Sequence, residues 1–194
     1  MSSHESSKPR KARVGVGIAG WIALLVGMPT GLFYLLATLG FVRLYGLPTA
    51  AMEPTVKMGD RFVVERISNS SWNPSRGDII TFKSDGLQGL PPGSVHIKRV
   101  VGLPGEQIRI EDGKLFINGA LTVLSNVNGP ISIELPPMGV AVVDQKIPAG
   151  HYFVVGDNAT NSLDSRSWGT LPQTNITGRA VYRYFPVQSM GPLH

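Results

Sequence analysis

An antiparallel hairpin is indicated by residues 107–117, which read Gln107-Ile108-Arg109-Ile110-Glu111-Asp112-Gly113-Lys114-Leu115-Phe116-Ile117. The two β-rich runs flank Asp112-Gly113, and an Asp-Gly pair between such runs is a strong signal for a two-residue hairpin turn. The sequence on either side has the same character, with short β-rich runs ended by turn residues and no alternation of strands with helices. We therefore predict a mainly β domain built on an antiparallel sheet.

Further strands are predicted on both sides of this hairpin. They are Arg61 to Ile67, Gly77 to Phe82, Val95 to Val101, His151 to Val155 and Gly178 to Phe185. The region from Leu121 to Ala149 is weakly patterned, and we assign it only to strand and loop.

The composition suits one folded domain with a short tail and a membrane segment. The chain has 194 residues, 23 Gly, 15 Pro and no Cys, so it offers neither a disulfide framework nor a thiolate metal site. Its net charge is +5, but four basic residues of the first 13 supply most of that excess. A basic face for nucleic acid is therefore not indicated, and we predict no cofactor and no metal.

The N-terminal third predicts a membrane anchor. Residues 1–13 are polar and basic, and we interpret them as a disordered cytoplasmic tail. Val14 to Val42 contain no charged side chain, a run longer than the roughly 20 residues that a helix needs to cross a bilayer. The preceding Lys8, Arg10, Lys11 and Arg13 favour a cytoplasmic N-terminus. We expect a single-pass protein of the inner or plasma membrane, with residues 43–194 forming an exported β-rich domain.

A cleavable signal peptide is the alternative to a retained anchor, with Thr49-Ala50-Ala51 as its small-residue cleavage site. Such peptides have apolar cores of only about 7–15 residues, and Arg43 lies before the supposed site. We therefore favour the anchor.

The segment Leu47-Pro48-Thr49-Ala50-Ala51-Met52-Glu53-Pro54-Thr55 follows this apolar run directly. Pro48 and Pro54 favour extended conformations before them and remove two backbone donors. We predict an extended, incompletely paired strand or loop, suited to lie beside another extended chain. Its flanks look like those of a reactive residue, yet Ala51 carries no nucleophile.

Lys98 lies in the apolar strand Val95-His96-Ile97-Lys98-Arg99-Val100-Val101. An edge-strand lysine facing water is the ordinary interpretation of such a residue. A buried lysine, by contrast, has a lowered pKa and can act as a general base.

The segment from Gly156 to Gly169 is also unusual, because it contains the specific string Ser162-Leu163-Asp164-Ser165-Arg166-Ser167-Trp168-Gly169. With it, four blocks of the chain resemble, in order, the bacterial type I signal peptidase family. The other three blocks are Pro48 to Thr55, Arg76-Gly77-Asp78 to Phe82, and Ile97 to Gly105. The resemblance implies an N-terminal transmembrane helix and a mainly antiparallel β catalytic domain that removes signal peptides with a Ser/Lys dyad.

The resemblance also implies roles for individual residues. Lys98 falls at the general base, Ser162 at the residue that orients it, and Asp164 and Arg166 at supporting positions. Thr49 falls where a hydroxyl assists the backbone amide of residue 51 as the oxyanion hole. Apolar pocket walls for small substrate side chains are implied at Leu47, Met52, Val56 and Ile97, any of which could instead be core.

The chain departs from the family pattern at two places. Ala159-Thr160 replaces the usual Arg-Asp, which predicts a looser supporting salt-bridge network. Ala51 stands at the position of the nucleophilic serine, and loss of a protease nucleophile removes about 10⁶ of rate. Engineered inactivation and a natural pseudoenzyme both account for this alanine.

Three hypotheses follow for function. The first is a signal peptidase whose active serine is replaced. The second is a membrane-anchored protein that binds signal-peptide-like segments without cleaving them, and the third is a processing peptidase dedicated to one exported substrate. The expected partners are preprotein signal peptides with small residues at the cleavage site and the lipid bilayer. The secretion machinery is a further candidate partner, and nucleic acid is not expected.

Overall fold

A computed structural model describes residues 28–67, 72–126, 129–130 and 143–193 of the chain. Contacts divide the chain into two units, residues 1–39 and residues 40–194. The predicted tail, residues 1–13, and residues 14–27 of the predicted anchor lie outside the described residues.

The first unit contains one described helix, α1 (Met28–Thr38). Pro29 lies in its first turn, where the missing N–H would have had no intrahelical partner. Near the end of the helix the Thr38 hydroxyl and the Leu39 N–H both donate to the Leu35 carbonyl, at 2.9 Å each. Within the described part of the chain, no helix combines the length and the apolar character needed to cross a membrane.

The described residues of the second unit form a β structure with one short α-helix, α2 (Ser165–Trp168). Its strands are β1 (Val42–Gly46), β2 (Arg61–Arg66), β3 (Ile79–Lys83), β4 (Val95–Gly102), β5 (Gln107–Glu111), β6 (Lys114–Ile117), β7 (Ala120–Thr122), β8 (Ser125–Asn126), β9 (Gly129–Pro130), β10 (Val143–Lys146), β11 (His151–Val155), β12 (Leu171–Pro172), β13 (Ile176–Phe185) and β14 (Gly191–Pro192).

The strands form two main sheets. The larger follows the order β1-β2-β13-β3-β4-β11-β12, with β14 added beside β13, and the smaller follows β10-β5-β6-β7. Strands β8 and β9 pair with each other. Every described pairing is antiparallel, so the mainly β, antiparallel fold predicted from the sequence is confirmed.

The predicted hairpin is present as β5 and β6, with Ile108 opposite Ile117 and Ile110 opposite Leu115. Asp112 and Gly113 adopt positive φ values of 49° and 71°, as a two-residue turn between twisted strands requires. Asn118 and Gly119 repeat this geometry at 51° and 81° between β6 and β7.

Three clusters of buried apolar side chains form the core. One joins the smaller sheet to the ends of β4 and β11, through Val101, Ile108, Ile110, Leu115, Ile117, Leu124, Ile147, Phe153 and Val155. The second lies under the segment after β1 and contains Leu47, Met52, Val56, Phe62, Val64, Ile79, Ile97, Ala180 and Leu193. The third contains Ile80, Phe82, Val100, Tyr152, Val154 and Leu171.

Residues 47–55 form an incompletely paired loop, as predicted, but the extended conformation predicted for them is wrong at residues 51–55, which form turns. Between β1 and β2 the chain forms successive turns, with Glu53 N–H donating to the Ala50 carbonyl at 3.1 Å and Val56 N–H to the Met52 carbonyl at 2.9 Å. The side chains of Met52 and Val56 are fully buried. The apolar area that they bury stabilises a loop folded onto the sheet more than an extended segment exposed to water.

Candidate active site

The loop that carries Ala51 is held at its base and along its length. Leu47 N–H donates to the Asp60 carbonyl at 3.0 Å, and Gly59 N–H donates to the Leu47 carbonyl at 2.9 Å. Further in, the buried Thr55 hydroxyl donates to the Asp157 carboxylate. The backbone of residue 51 is therefore fixed relative to the segment that follows β11.

Lys98 lies in the centre of β4, opposite Ile80 of β3. It is only 5% exposed, so the water-facing edge lysine is excluded. Burial lowers the pKa of Lys98 below its ordinary value of 10.5; Asp164 opposes that shift, Arg166 adds to it, and Asp157 opposes it. The lowered pKa makes Lys98 better suited to act as a general base than an exposed lysine.

Arg99, the next residue of β4, has its side chain on the opposite face of the sheet. It forms a bidentate ion pair with Asp157, through Nε to Oδ1 at 2.8 Å and Nη2 to Oδ2 at 2.7 Å. Both side chains are almost completely buried, at 1% and 0% exposure. Asp157 thus links strand β4 to the loop of Ala51, since the same carboxylate accepts from Thr55.

Asp164 and Arg166 form a second buried bidentate pair, with distances of 2.8 Å and 2.7 Å. Asp164 also caps α2 by accepting from the Arg166 N–H at 3.2 Å, a role that carboxylates commonly fill at helix starts. Its Oδ2 accepts from the Gly156 N–H at 2.9 Å. Asp164 and Arg166, which the resemblance assigns to supporting positions, thus form a buried ion pair. The charges of both residues act on Lys98.

The backbone of Gly156 lies against both the Ser162 side chain and the loop that carries Ala51. A Cβ at this position would lie 2.2 Å from the Ser162 Oγ and 2.4 Å from the Ala51 carbonyl oxygen. Only a glycine allows the backbone to pass between them. The Ser162 side chain, the Ala51 carbonyl and, through the Gly156 N–H, Asp164 are therefore close neighbours.

Ser162, which the resemblance assigns to orienting Lys98, makes no hydrogen bond to Lys98 in this structure. The Ser162 Oγ is buried and has no hydrogen-bond partner among the described residues. Its side chain packs over the Cα of Gly156, and this contact accounts for the position of the hydroxyl.

The remaining predicted residues occupy two different settings. Thr49 is exposed at the surface of the loop. Leu47, Met52, Val56 and Ile97 come together in one buried cluster, and none is more than 6% exposed. The four side chains therefore lie together, and in this structure they pack as part of the hydrophobic core.

At the family departure, Ala159 is buried at 7% exposure while Thr160 lies at the surface. The Thr160 hydroxyl donates to the Asn158 side-chain oxygen at 3.2 Å. The buried pairs Arg99–Asp157 and Arg166–Asp164 are both intact beside this segment.

Sequence reasoning missed Thr55, Arg99, Gly156, Asp157 and Asn158 as functional candidates. A signal existed for two of them, because an arginine within an apolar strand and an aspartate directly after another strand are charges that burial would force to pair. No group of three or more His, Cys, Asp or Glu suited to a metal ion is found among the described residues.

Comparison with known proteins places the chain in a family. A sequence model of the family described as "Signal peptidase, peptidase S26" matches residues 18–185. The chain belongs to this family. The family is the signal peptidase I family of serine endopeptidases, which act on the signal peptides of preproteins.

Curated relatives of the S26 family agree with this assignment. "Signal peptidase I" of Leptolyngbya laminosa is 39% identical over 150 residues, which cover 76% of this chain and 70% of the relative. "Probable signal peptidase I-2" of Synechocystis is 36% identical over 148 residues, covering 76% of this chain and 65% of the relative. "Thylakoidal processing peptidase 1, chloroplastic" of Arabidopsis thaliana is 38% identical over 146 residues, covering 72% and 41%.

A solved S26 family structure is also similar. The crystal structure of a signal peptidase I from Enterococcus faecalis V583 has 32% sequence identity and a TM-score of 0.40, and it covers 57% of this chain and 98% of that chain.

Proposed function

We propose that this chain is a membrane-anchored signal peptidase I that binds the signal peptides of exported preproteins, with its catalytic step blocked at Ala51. The observation that carries the proposal is the buried Lys98, whose pKa is lowered by burial. A buried lysine without a catalytic or binding role would only weaken the fold, whereas a general base has to be neutral at the working pH.

The proposed reaction uses the residues that the family resemblance assigns to the site. The hydroxyl introduced by Ala51→Ser would attack the carbonyl of the scissile bond while Lys98 Nζ takes its proton. The N–H of residue 51 and the Thr49 hydroxyl would bind the oxyanion that forms. Lys98 would then return the proton to the leaving amine, and water would hydrolyse the acyl-enzyme with the same lysine as base.

The substrate class rests on the family, whose members act on the signal peptides of preproteins. Leu47, Met52, Val56 and Ile97 would form walls that accept small side chains near the cleavage site. We further propose that residues 14–39, the part of the predicted anchor that precedes the β unit, hold the chain in the inner or plasma membrane with a cytoplasmic N-terminus; Val42, the last residue of the apolar run, pairs with Glu65 in the sheet. The β unit would then meet the signal peptide where it leaves the bilayer.

Ala51 itself favours a second candidate, a membrane-anchored protein that binds signal-peptide-like segments without cleaving them. The two candidates differ in what a restored nucleophile does. A catalytic site retains its base and oxyanion donors in working positions, whereas a binding protein has no need of them.

The decisive test is the cleavage of a preprotein by the full-length Ala51→Ser variant. We expect cleavage after small residues, at a rate about 10⁴-fold or more above that of the unaltered chain, since loss of a protease nucleophile costs about 10⁶. Alanine and serine differ by one oxygen atom, so the loop should accept the change. The unaltered chain should bind the same signal peptide without cleaving it.

Two controls make this test specific. Ala50→Ser adds the same hydroxyl one residue away and should give no cleavage. Adding Lys98→Met to the Ala51→Ser variant should abolish the activity. A folded Ala51→Ser variant without activity would leave the binding candidate ahead, and activity that survives Lys98→Met would refute the dyad.

A further inference from the structure

Asn158 holds two successive carbonyl groups of the loop that carries Ala51. Its side-chain Nδ2 donates to the Ala50 carbonyl at 3.1 Å, and its backbone N–H donates to the Ala51 carbonyl at 3.2 Å. The Thr160 hydroxyl donates to the Asn158 Oδ1 at 3.2 Å. The Ala50 carbonyl can only accept, so the NH₂ group of Asn158 is the end turned toward Ala50, and the Oδ1 is left to accept from Thr160.

The first of these bonds helps to set where the amide of residue 51 points, together with the bond that the Glu53 N–H donates to the same Ala50 oxygen at 3.1 Å. The Ala50 carbonyl and the Ala51 N–H belong to one planar peptide unit, and the bond between them is trans. In a trans peptide the C=O and the N–H point in opposite directions. A donor that fixes the Ala50 oxygen on one side therefore aims the Ala51 N–H to the other side.

The Ala51 N–H donates to no group among the described residues, so no protein acceptor competes for it. The orientation of this peptide plane thus decides whether an N–H donor faces an incoming carbonyl oxygen.

We propose that Asn158 is a positioning residue for the oxyanion hole, acting through the Ala50–Ala51 peptide unit. This inference rests on the proposed function, in which the N–H of residue 51 binds the oxyanion. Asn158 touches neither the substrate nor the reacting atoms. It sets the direction of the amide that does.

A purely structural role would have a different signature. The Ala50 oxygen also accepts from the Glu53 N–H at 3.1 Å, so the turn keeps one bond to this oxygen without Asn158. Asn158 is also half-buried, which allows water to replace its side chain. Its removal should therefore disturb the peptide orientation more than the stability of the fold.

The test compares Asn158→Ala and Asn158→Asp in the full-length Ala51→Ser chain. We expect kcat to fall by about 10- to 100-fold with KM nearly unchanged, because small misplacement of a catalytic group costs up to about 10². Asn158→Asp should be at least as harmful as Asn158→Ala, since a carboxylate repels the Ala50 oxygen while keeping the shape of the side chain.

Asn175 provides a matched control. Its Nδ2 also holds two backbone carbonyls, those of Lys83 at 2.9 Å and Asp85 at 2.8 Å, on a different loop. Asn175→Ala should leave kcat unchanged. Equal losses of kcat in Asn158→Ala and Asn175→Ala, or an unchanged kcat in Asn158→Ala, would overturn the proposal.

A second readout needs no activity. In the chain with Ala51 intact, Asn158→Ala should shift the ¹³C resonance of the Ala50 carbonyl and the amide resonance of Ala51, and Asn175→Ala should shift neither. Unchanged Ala50 and Ala51 resonances in Asn158→Ala would overturn the positioning role. If Ala51→Ser proves inactive while these shifts occur, the proposed function fails and the fixing of the peptide by Asn158 stands.

Discussion

Lys98 shows how the fold changes the chemistry of a single residue. Strand β4 places it between apolar neighbours with 5% of its surface exposed, where an ammonium group loses most of its hydration. The charges of Asp164 and Arg166 act on it in opposite directions. The desolvation that remains keeps its pKa below the ordinary value.

This lowered pKa makes the free energy of unfolding depend on pH. Between the folded pKa and the unfolded value of 10.5, the unfolded chain holds a proton that the folded chain has released. Stability should therefore rise as pH increases through that window, by up to about 1.4 kcal/mol per pH unit. Below the folded pKa both states hold the proton, and the cost of the buried charge is fully present.

Lys98→Met should remove this rise, because methionine carries no charge at any pH. Denaturant unfolding of both proteins from neutral to alkaline pH measures it, and the variant should be the more stable at the lower end. Lys114→Met, which removes an exposed lysine, is the control. If stability of the unaltered chain does not rise relative to Lys98→Met, Lys98 is not a buried base.

Strand β4 carries the two charges of the site in adjacent positions and sends them to opposite faces of the sheet. Lys98 lies on one side, and Arg99 on the other is paired with Asp157. This alternation of a strand lets one element serve the chemistry on one face and hold the loop of Ala51 through the other. The link between β4 and that loop depends on the Asp157 carboxylate.

Asp157→Asn should therefore destabilise the domain strongly, by about 3–5 kcal/mol, because it leaves a buried guanidinium without its carboxylate. Arg99→Met combined with Asp157→Leu should cost less than Asp157→Asn alone. Urea unfolding at neutral pH gives these values. Glu111→Gln breaks the exposed Arg109–Glu111 pair, whose side chains are 47% and 39% exposed, and should destabilise the domain far less than Asp157→Asn, because exposed ion pairs contribute little. Equal costs for Asp157→Asn and Glu111→Gln would contradict the structural role.

The strands were predictable to different degrees. Asp112-Gly113 predicted its hairpin correctly because the turn chemistry is local. Asn118-Gly119 carries the same local signal and was overlooked. The loop of Ala51 was predicted as extended from Pro48 and Pro54, and burial of Met52 and Val56 decided otherwise. Tertiary burial of this kind leaves no mark on local sequence.

The sequence predicted several residues of the candidate site, but it did not predict which of them contact each other. Lys98, Asp164 and Arg166 were identified from the sequence. In the structure the charges of Asp164 and Arg166 both act on the pKa of Lys98. The contact between Gly156 and Ala51 joins residues more than 100 positions apart, and only the folded chain brings them together. The sequence motifs likewise could not show that Ser162 makes no hydrogen bond to Lys98 in this structure.

At the scale of the whole molecule, residues 40–194 contain both main sheets, the three apolar clusters and the candidate site. We expect a fragment of these residues to fold without the first 39. It should unfold in one cooperative transition and show the same pH-dependent stability as the full chain, as measured by circular dichroism in urea.

The same fragment tests the proposed anchor. The full chain should remain with membranes after washing at alkaline pH, and the fragment should be released, because only the former carries residues 14–39. A fragment without a cooperative transition would contradict the independence of the β unit. Release of the full chain by the wash would contradict the anchor.

The position of β13 has a consequence for the order in which the chain folds during synthesis. This last long strand lies between two early ones, β2 and β3, and its Arg179 meets Glu65 across 114 positions of the chain. Before β13 is synthesised, no strand joins the pair β1-β2 to the strands β3, β4, β11 and β12. Pairing over so long a separation is slow, because a large loop must close first. The loop of Ala51 follows β1, and Lys98 lies on β4. A growing chain therefore joins the two halves of its sheet, and with them the two halves of its site, only when β13 is made.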